Sequence, residues 1–317
     1  MWLGFPSHAD LWVDDLEEAR REVADLAIAL AGPGREQIKV LACGEAAERE
    51  ARRLMAAAPA IDILQARFGD IWLRDTGPVF TERDEAVGFR FNGWGGKYQL
   101  EGDEAVADQL AALAGARLDQ HDFVLEGGAL DHDGAGTALT TRQCLLNPNR
   151  NPAWGAEDTE AALRGALGVR KILWLGDGLM NDHTDGHVDN LARFVAPGVV
   201  ACPAAFGTDD PNALAYDRAA EALAGFTDAE GRRLRVVRIP SPGCVRSRNH
   251  DIVPASHMNF LIANGAVVLP VYDQRASRLA VEALEGLFPG RIIIPLESRA
   301  LLTGGGSFHC ISQQQPA

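Results

Sequence analysis

From Ala129 the chain alternates short apolar stretches with turns and then shifts to helical spacing. ALDHDGAGTALTT reads as two strands about a Gly turn, EDTEAALRGAL as a helix and RKILWL as a closing strand. The order returns from Val188 (VDNLARFVAPGVVACPAA, NALAYDRAAEALAGF, RLRVVRI) and from His257 (HMNFLIANGAVVLPVY, SRLAVEALEGLF, RIIIPL). An earlier copy begins RDTGPVFTERDEAVGFRF and continues into EAVADQLAALAGA. The units open at Asp75, Leu130, Asp189 and Asn259, at broadly similar intervals. A fifth is expected to be shared by the termini. The helix Asp14–Leu30 and strand Ile38–Cys43 supply its end, and Ser307–Ser312 its opening strand. Such units bury their apolar faces by stacking on neighbours. Five ββαβ units closing in a ring make a single domain over residues 1–317. The alternative is an open α/β sheet with accidental similarity.

Composition narrows the function. The 317 residues carry 30 Lys+Arg against 44 Asp+Glu, a net charge of −14. At 47% hydrophobic and 23% charged the chain is a globular sequence and no disordered one. The negative balance argues against nucleic acid, whose ligands present a basic stripe, and mildly favours a cationic small molecule. Five cysteines lie scattered without CxxC spacing, which fits free thiols in a reducing compartment. The first ten residues lack the basic and apolar regions of a signal peptide. The longest apolar run, Phe260 to Tyr272, is broken by Asn264, Gly265 and Pro270. No membrane span is expected, and the location expected is the cytoplasm. A homodimer is the default assembly.

Chemistry concentrates at five points. The densest runs from Asn181 to Asn190 and holds Asp182, His183, Asp185, His187 and Asp189. In an extended His187-Val188-Asp189 the outer two residues project from one face. Gly304-Gly305-Gly306 precedes Cys310, and glycines allow close backbone approach. Asp70 to Pro78 contains Trp72 and Arg74 alternating with Leu73 and Asp75, and a turn aspartate is its bland explanation. Asn92 to Tyr98 is an aromatic loop of the kind that lines pockets. Glu126-Gly127-Gly128 is a further polar turn. Cys43, Cys144, Cys202 and Cys244 read as small buried hydrophobes. No G-x-S-x-G, Walker A loop, GxGxxG or HExxH is present.

Taken together, WLRDTGP (72–78), NGWGGKY (92–98), EGG (126–128), GHVDN (186–190) and GGGSFHC (304–310) resemble the agmatine deiminases, guanidino-group-modifying enzymes with the pentein fold. The motifs keep the family order, and the resemblance runs from Gly4 to Gln314. It implies a pseudo-fivefold propeller of ββαβ repeats around a central active-site channel. Carried over residue by residue, Cys310 resembles the nucleophile and His187 the general acid/base. Asp75 and Asp189 resemble the carboxylates that grip the guanidinium. Trp72 and Glu126 match pocket positions. His183 departs from the pattern, since the family often has an acid there. If that acid holds the substrate's amine, either Asp182 or Asp185 must substitute or amine recognition differs here.

That assignment has a physical logic. A guanidinium is a planar, delocalised cation and a poor electrophile. Two carboxylates gripping its N–H edges fix the carbon before a thiolate. The expected reaction hydrolyses agmatine to N-carbamoylputrescine and ammonia through a cysteine-bound amidino intermediate, without metal or organic cofactor. Free arginine or peptidyl-arginine is the closer rival substrate, and Arg74 the cation that would favour a carboxylate-bearing one. A more distant rival is a metal-dependent hydrolase built on His183, His187 and Asp189.

Overall fold

The computed structural model describes all 317 residues as five small sheets joined by helices. β1 (Trp2–Gly4) is parallel to β2 (Lys39–Ala42), which is parallel to β3 (Asp62–Gln65). Four three-stranded sheets follow. The first joins β4 (Val79–Glu82), β5 (Glu85–Arg90) and β6 (Arg117–Val124). The next joins β7 (Asp131–His132), β8 (Thr137–Thr141) and β9 (Lys171–Leu175). Then come β10 (Arg193–Ala196), β11 (Val199–Ala204) and β12 (Arg235–Pro240). The last are β13 (Leu261–Ile262), β14 (Ala266–Val271) and β15 (Ile292–Glu297). In each, the first pair of strands is antiparallel and the second pair parallel. β16 (Ser312–Gln313) pairs antiparallel with β1, so the chain's end opens the sheet that its beginning continues. The repeats expected from the sequence are thus present, and the fold is the five-unit pentein arrangement.

A parallel pair needs a crossover, and a helix supplies it in every unit. These helices are Leu16–Ala31, Val106–Ala114, Ala156–Leu167, Ala213–Gly225 and Gln274–Glu285. The middle strand is flanked on both sides. Accordingly β14, AVVLPV, is buried at all six positions, while β15 at the edge exposes Ile292, Pro295 and Glu297. Pro270 sits in β14 without disrupting the ladder, because β13 pairs only as far as Val268.

Four local expectations change. The terminal sheet is longer than predicted, with an added helix Glu45–Leu54 and β3. Its opening strand starts only at Ser312, since residues 307–311 form a turn closed by Ile311 N–H on the Ser307 carbonyl. His187-Val188-Asp189 is not extended either: Val188–Asn190 is a 3-10 turn. Trp72 to Asp75 likewise leads into a helical turn, Leu73–Thr76, rather than an alternating strand.

Those turns organise the molecule. Leu73–Thr76, Gly127–Ala129, Val188–Asn190 and His257–Asn259 each precede a unit's first strand, and they pack side by side in that order. The turn before β16 occupies the fifth position. Asp75, Asp189, Asn259 and Cys310 therefore converge although four different units supply them. No helix is long and apolar enough to cross a membrane.

Candidate active site

Cys310 lies in the floor of a cavity of about 250 Å³, beside Asp75, Trp72 and Asp70. The side chains of this floor are nearly inaccessible, whereas Leu11, Tyr98, His183 and Thr303 form an exposed rim. Asp189, His187 and Glu126 are buried just behind the floor.

The turns set the geometry. Asp75 Oδ1 accepts the Gly128 N–H at 2.9 Å and lies 3.7 Å from His187 Nδ1. Its Oδ2 accepts the Trp94 indole N–H at 2.9 Å. Trp94 reaches it from a left-handed backbone (φ 52°), an uncommon conformation for a bulky residue, in a loop that Asn92 caps by accepting the Gly95 N–H at 2.9 Å. The aromatic loop read from the sequence does line the cavity, through Trp94 and Tyr98.

Asp189 Oδ2 is 2.7 Å from His309 Nδ1 and 3.8 Å from Cys310 Sγ. Its Oδ1 is buried and has no partner. Asn259, from the turn before β13, donates its amide N–H to Cys310 Sγ at 3.3 Å, and its Oδ1 accepts the His309 N–H at 2.9 Å. Arg150 Nε donates to Glu126 Oε1 at 2.7 Å in a pair with no exposed side-chain surface. Glu126, Cys144 and His187 bring their polar atoms within 4.8 Å of one another. His183 is outside that group, so the His183–His187–Asp189 set expected of a metal hydrolase is not assembled.

Burial and charge set the protonation states. Burial alone would lower His187, but the carboxylates of Asp75 and Glu126 and contact with Cys144 hold its pKa well above the ordinary value. Burial raises Cys310, and the negative charges of Asp189 and Asp75 raise it further, so its thiol stays protonated in the free protein. Burial lifts Asp189 to about 7, against the attraction of His187.

Six of the residues picked from the sequence meet here: Trp72, Asp75, Glu126, His187, Asp189 and Cys310. Asp182 and Asp185 do not line the cavity. Asp182 Oδ1 accepts the Thr184 N–H and hydroxyl at 2.9 and 2.6 Å, a cap that shapes the loop before His187. Asp185 is bound by Lys97 Nζ at 2.6 Å, Arg150 Nη1 at 2.5 Å and Asn149 Nδ2 at 3.0 Å. Both carboxylates are engaged within the protein, and neither reaches this cavity. Arg74 is spent as well, donating to Gln313 Oε1 at 2.8 Å and Gln314 Oε1 at 2.6 Å. The sequence reading missed Trp12, Asp70, Asn259 and His309. Asn259 carried one signal, since it opens a repeat at the position of Asp75 and Asp189.

Comparison with known proteins identifies the family. The profile of the Porphyromonas-type peptidyl-arginine deiminases matches residues 1–316. The agmatine deiminase of Stutzerimonas stutzeri is 36% identical, with 100% of this chain and 92% of that protein covered. The same figures hold for an agmatine deiminase of Pseudomonas aeruginosa. Among solved structures, agmatine deiminase of Enterococcus faecalis superposes with a TM-score of 0.91 at 33% identity, covering 99% of this chain and 92% of that one. The C. jejuni agmatine deiminase gives a TM-score of 0.85 at 27% identity, covering 100% and 93%. With a matching profile over all but its last residue and relatives similar along its full length, this chain belongs to the Porphyromonas-type peptidyl-arginine deiminase family.

Proposed function

We propose that the protein is an agmatine deiminase, a hydrolase of guanidino C–N bonds in which Cys310 is the nucleophile. The observation that carries this reading is the thiol of Cys310 in a cavity floor beside Asp75, with the unpartnered Asp189 Oδ1 behind it. Asp75 and Asp189 would hold the N–H edges of the guanidinium, and Trp72 would cover its plane, a contact of roughly 1 kcal/mol. The cation offsets the charge of both carboxylates and so lowers the cost of forming the Cys310 thiolate, whose proton is released to solvent as the substrate binds.

The thiolate adds to the guanidinium carbon, and the carbon becomes tetrahedral. The C–N bond to the terminal nitrogen breaks as protonated His187 gives its proton to the leaving ammonia. An amidino-thioether remains on Cys310. Water, losing a proton to His187, adds to the same carbon, and the C–S bond breaks to return the thiolate. The protonated urea so formed gives up its extra proton to solvent, and the product is the ureido compound N-carbamoylputrescine. Glu126, neutralised in part by Arg150, adds to the negative field that keeps His187 protonated. These steps call on no metal or organic cofactor.

Agmatine is favoured over arginine by the charge around the cavity. An α-carboxylate needs a free cation, and Arg74, Arg150 and Lys97 are all bound within the protein. The same reading makes the chain one catalytic domain in the cytoplasm, where its five free cysteines persist. It also makes the protein a homodimer that supplies a precursor of putrescine for polyamine biosynthesis.

Ammonia release from agmatine and from free arginine, before and after iodoacetamide treatment and with a chelator present, tests this. Release from agmatine that survives the chelator and is lost on alkylation is expected. Chelator-sensitive, alkylation-resistant release would overturn the thiol mechanism, and release from arginine alone would overturn the substrate.

A further inference from the structure

The cavity that begins at Cys310 ends at a rim built without a free acid. Only two of its fourteen lining residues are carboxylates, Asp75 and Asp70, and both are nearly inaccessible. Asp75 belongs to the guanidinium end. Asp70 is engaged at both oxygens, accepting the Trp12 indole N–H at 3.0 Å and the Trp72 indole N–H at 2.8 Å.

At the exposed end the polar groups are of another kind. His183 Nδ1 lies 2.7 Å from the Tyr98 hydroxyl, and the two rings stack with centroids 5.9 Å apart and planes 20° from parallel. Lys97 Nζ donates to the His183 carbonyl at 2.8 Å and to Asp185 Oδ1 at 2.6 Å. That arrangement pins the residue and engages Asp185, while the neighbouring Asp182 caps Thr184 and does not line the cavity. An imidazole is neutral or cationic and never an anion, so it cannot form an ion pair with an ammonium group.

We infer that His183, stacked on Tyr98, is the specificity-determining residue for the substrate's tail, and that the rim reads the tail by hydrogen bonding and aromatic contact rather than by ion pairing. The substrate class is then wider than agmatine. It takes in small alkylguanidines whose tail carries no charge. This rests on the guanidino reading of the cavity and deepens it.

The test separates the two. Binding of agmatine and of butylguanidine, which shares the guanidinium and lacks the amine, is measured by calorimetry on the Cys310→Ala protein. Ammonia release from both is measured on the unmodified enzyme. With His183 present the two dissociation constants should agree within about fivefold. His183→Glu in the Cys310→Ala background should favour agmatine over butylguanidine by about tenfold or more, the increment of a charge-assisted bond. His183→Ala should weaken both ligands by a similar factor.

A preference for agmatine above about fivefold with His183 in place overturns the proposal. A preference that disappears in Asp70→Asn does the same and moves amine recognition to Asp70. Binding of both compounds without ammonia release overturns the deiminase reading while the tail result stands. Binding of neither overturns both.

Discussion

A methyl group placed on Gly128 would lie 2.6 Å from His187 Nδ1, 2.8 Å from Asp75 Oδ1 and 3.2 Å from Asp189 Oδ2. Three groups of the proposed reaction thus meet at a point that only a hydrogen atom can share. Gly128→Ala is therefore expected to lower kcat/KM by about 100-fold, the scale of a 1 Å misplacement at a reacting centre. The cost in stability should be only about 1–3 kcal/mol, as for ordinary overpacking. Steady-state kinetics beside urea unfolding checks both, and near-normal kinetics would show that the three groups need not hold these positions. The thiol carries a second prediction. Burial and the charges of Asp189 and Asp75 keep Cys310 protonated, and an arriving cation reverses the electrostatic part of that effect. A cationic chloroacetamidine should then inactivate the enzyme at least about tenfold faster than neutral chloroacetamide at the same pH, with agmatine protecting. Equal rates would mean that the carboxylates do not govern the thiol. Asp189→Asn should impair binding and turnover together, because a neutral amide replaces half of the clamp.

The loop that delivers Cys310 depends on the helix at the other end of the sequence. Glu22, in the helix Leu16–Ala31, accepts the backbone N–H groups of Ala300 and Leu301 at 3.0 and 2.8 Å. It thereby caps the short helix Arg299–Thr303 just before the three glycines. Burial raises the Glu22 carboxyl to about 7 despite these two bonds. Its folded value lies above its unfolded one, so the folded chain holds the extra proton between about 4.5 and 7. Stability from this group is full below that window and lost as pH rises through it, by on the order of 3 kcal/mol. Glu22→Gln should flatten the change in urea midpoint between pH 5 and pH 8, and an unaltered slope would remove Glu22 as its source. Elements of this length were readable before the structure, because helices such as Val106–Ala114 and Gln274–Glu285 and strands such as β9 and β15 are long enough to show a period. The opening strands β7, β13 and β16 have two residues each and show none. The site divides the same way. Cys310, His187, Asp75 and Asp189 stand in runs of unusual composition, whereas Asn259 is marked only by its place at the start of a repeat and Trp12 has no pattern around it. His187 and Asp189 were found for the wrong local reason, since the turn and not an extended strand sets their directions.

Closure of the ring joins the two ends of the chain, and Arg74 is the side chain that spans the join. Its backbone N–H donates to the Cys310 carbonyl at 3.0 Å, and its guanidinium donates to Gln313 and Gln314 side chains and, at 3.3 Å, to the His309 carbonyl. The group is buried and its acceptors are neutral. Burial lowers its pKa to about 10, which still leaves it charged near neutrality. The attraction of Asp189 and Asp75, which helps to hold that charge, ties the closure to the site. Removing the guanidinium leaves a void and several buried acceptors without a donor. Arg74→Ala is accordingly expected to cost about 3–5 kcal/mol, from several buried acceptors losing a donor at about 1–3 kcal/mol each and from the void left behind. Gln314→Ala, with its position near the exposed terminus, should cost less than about 1 kcal/mol. Because β16 and β1 share a sheet, the loss should appear as one shifted urea transition with an unchanged slope, not as a separate early melting of the C-terminus. Activity should fall with it, since Arg74 and Cys310 share a backbone bond. An Arg74→Ala protein as stable as an ordinary surface variant, within about 0.5 kcal/mol of the parent, would show that β-pairing alone closes the ring. Early loss of the terminal strand would instead show that the five units do not unfold as one.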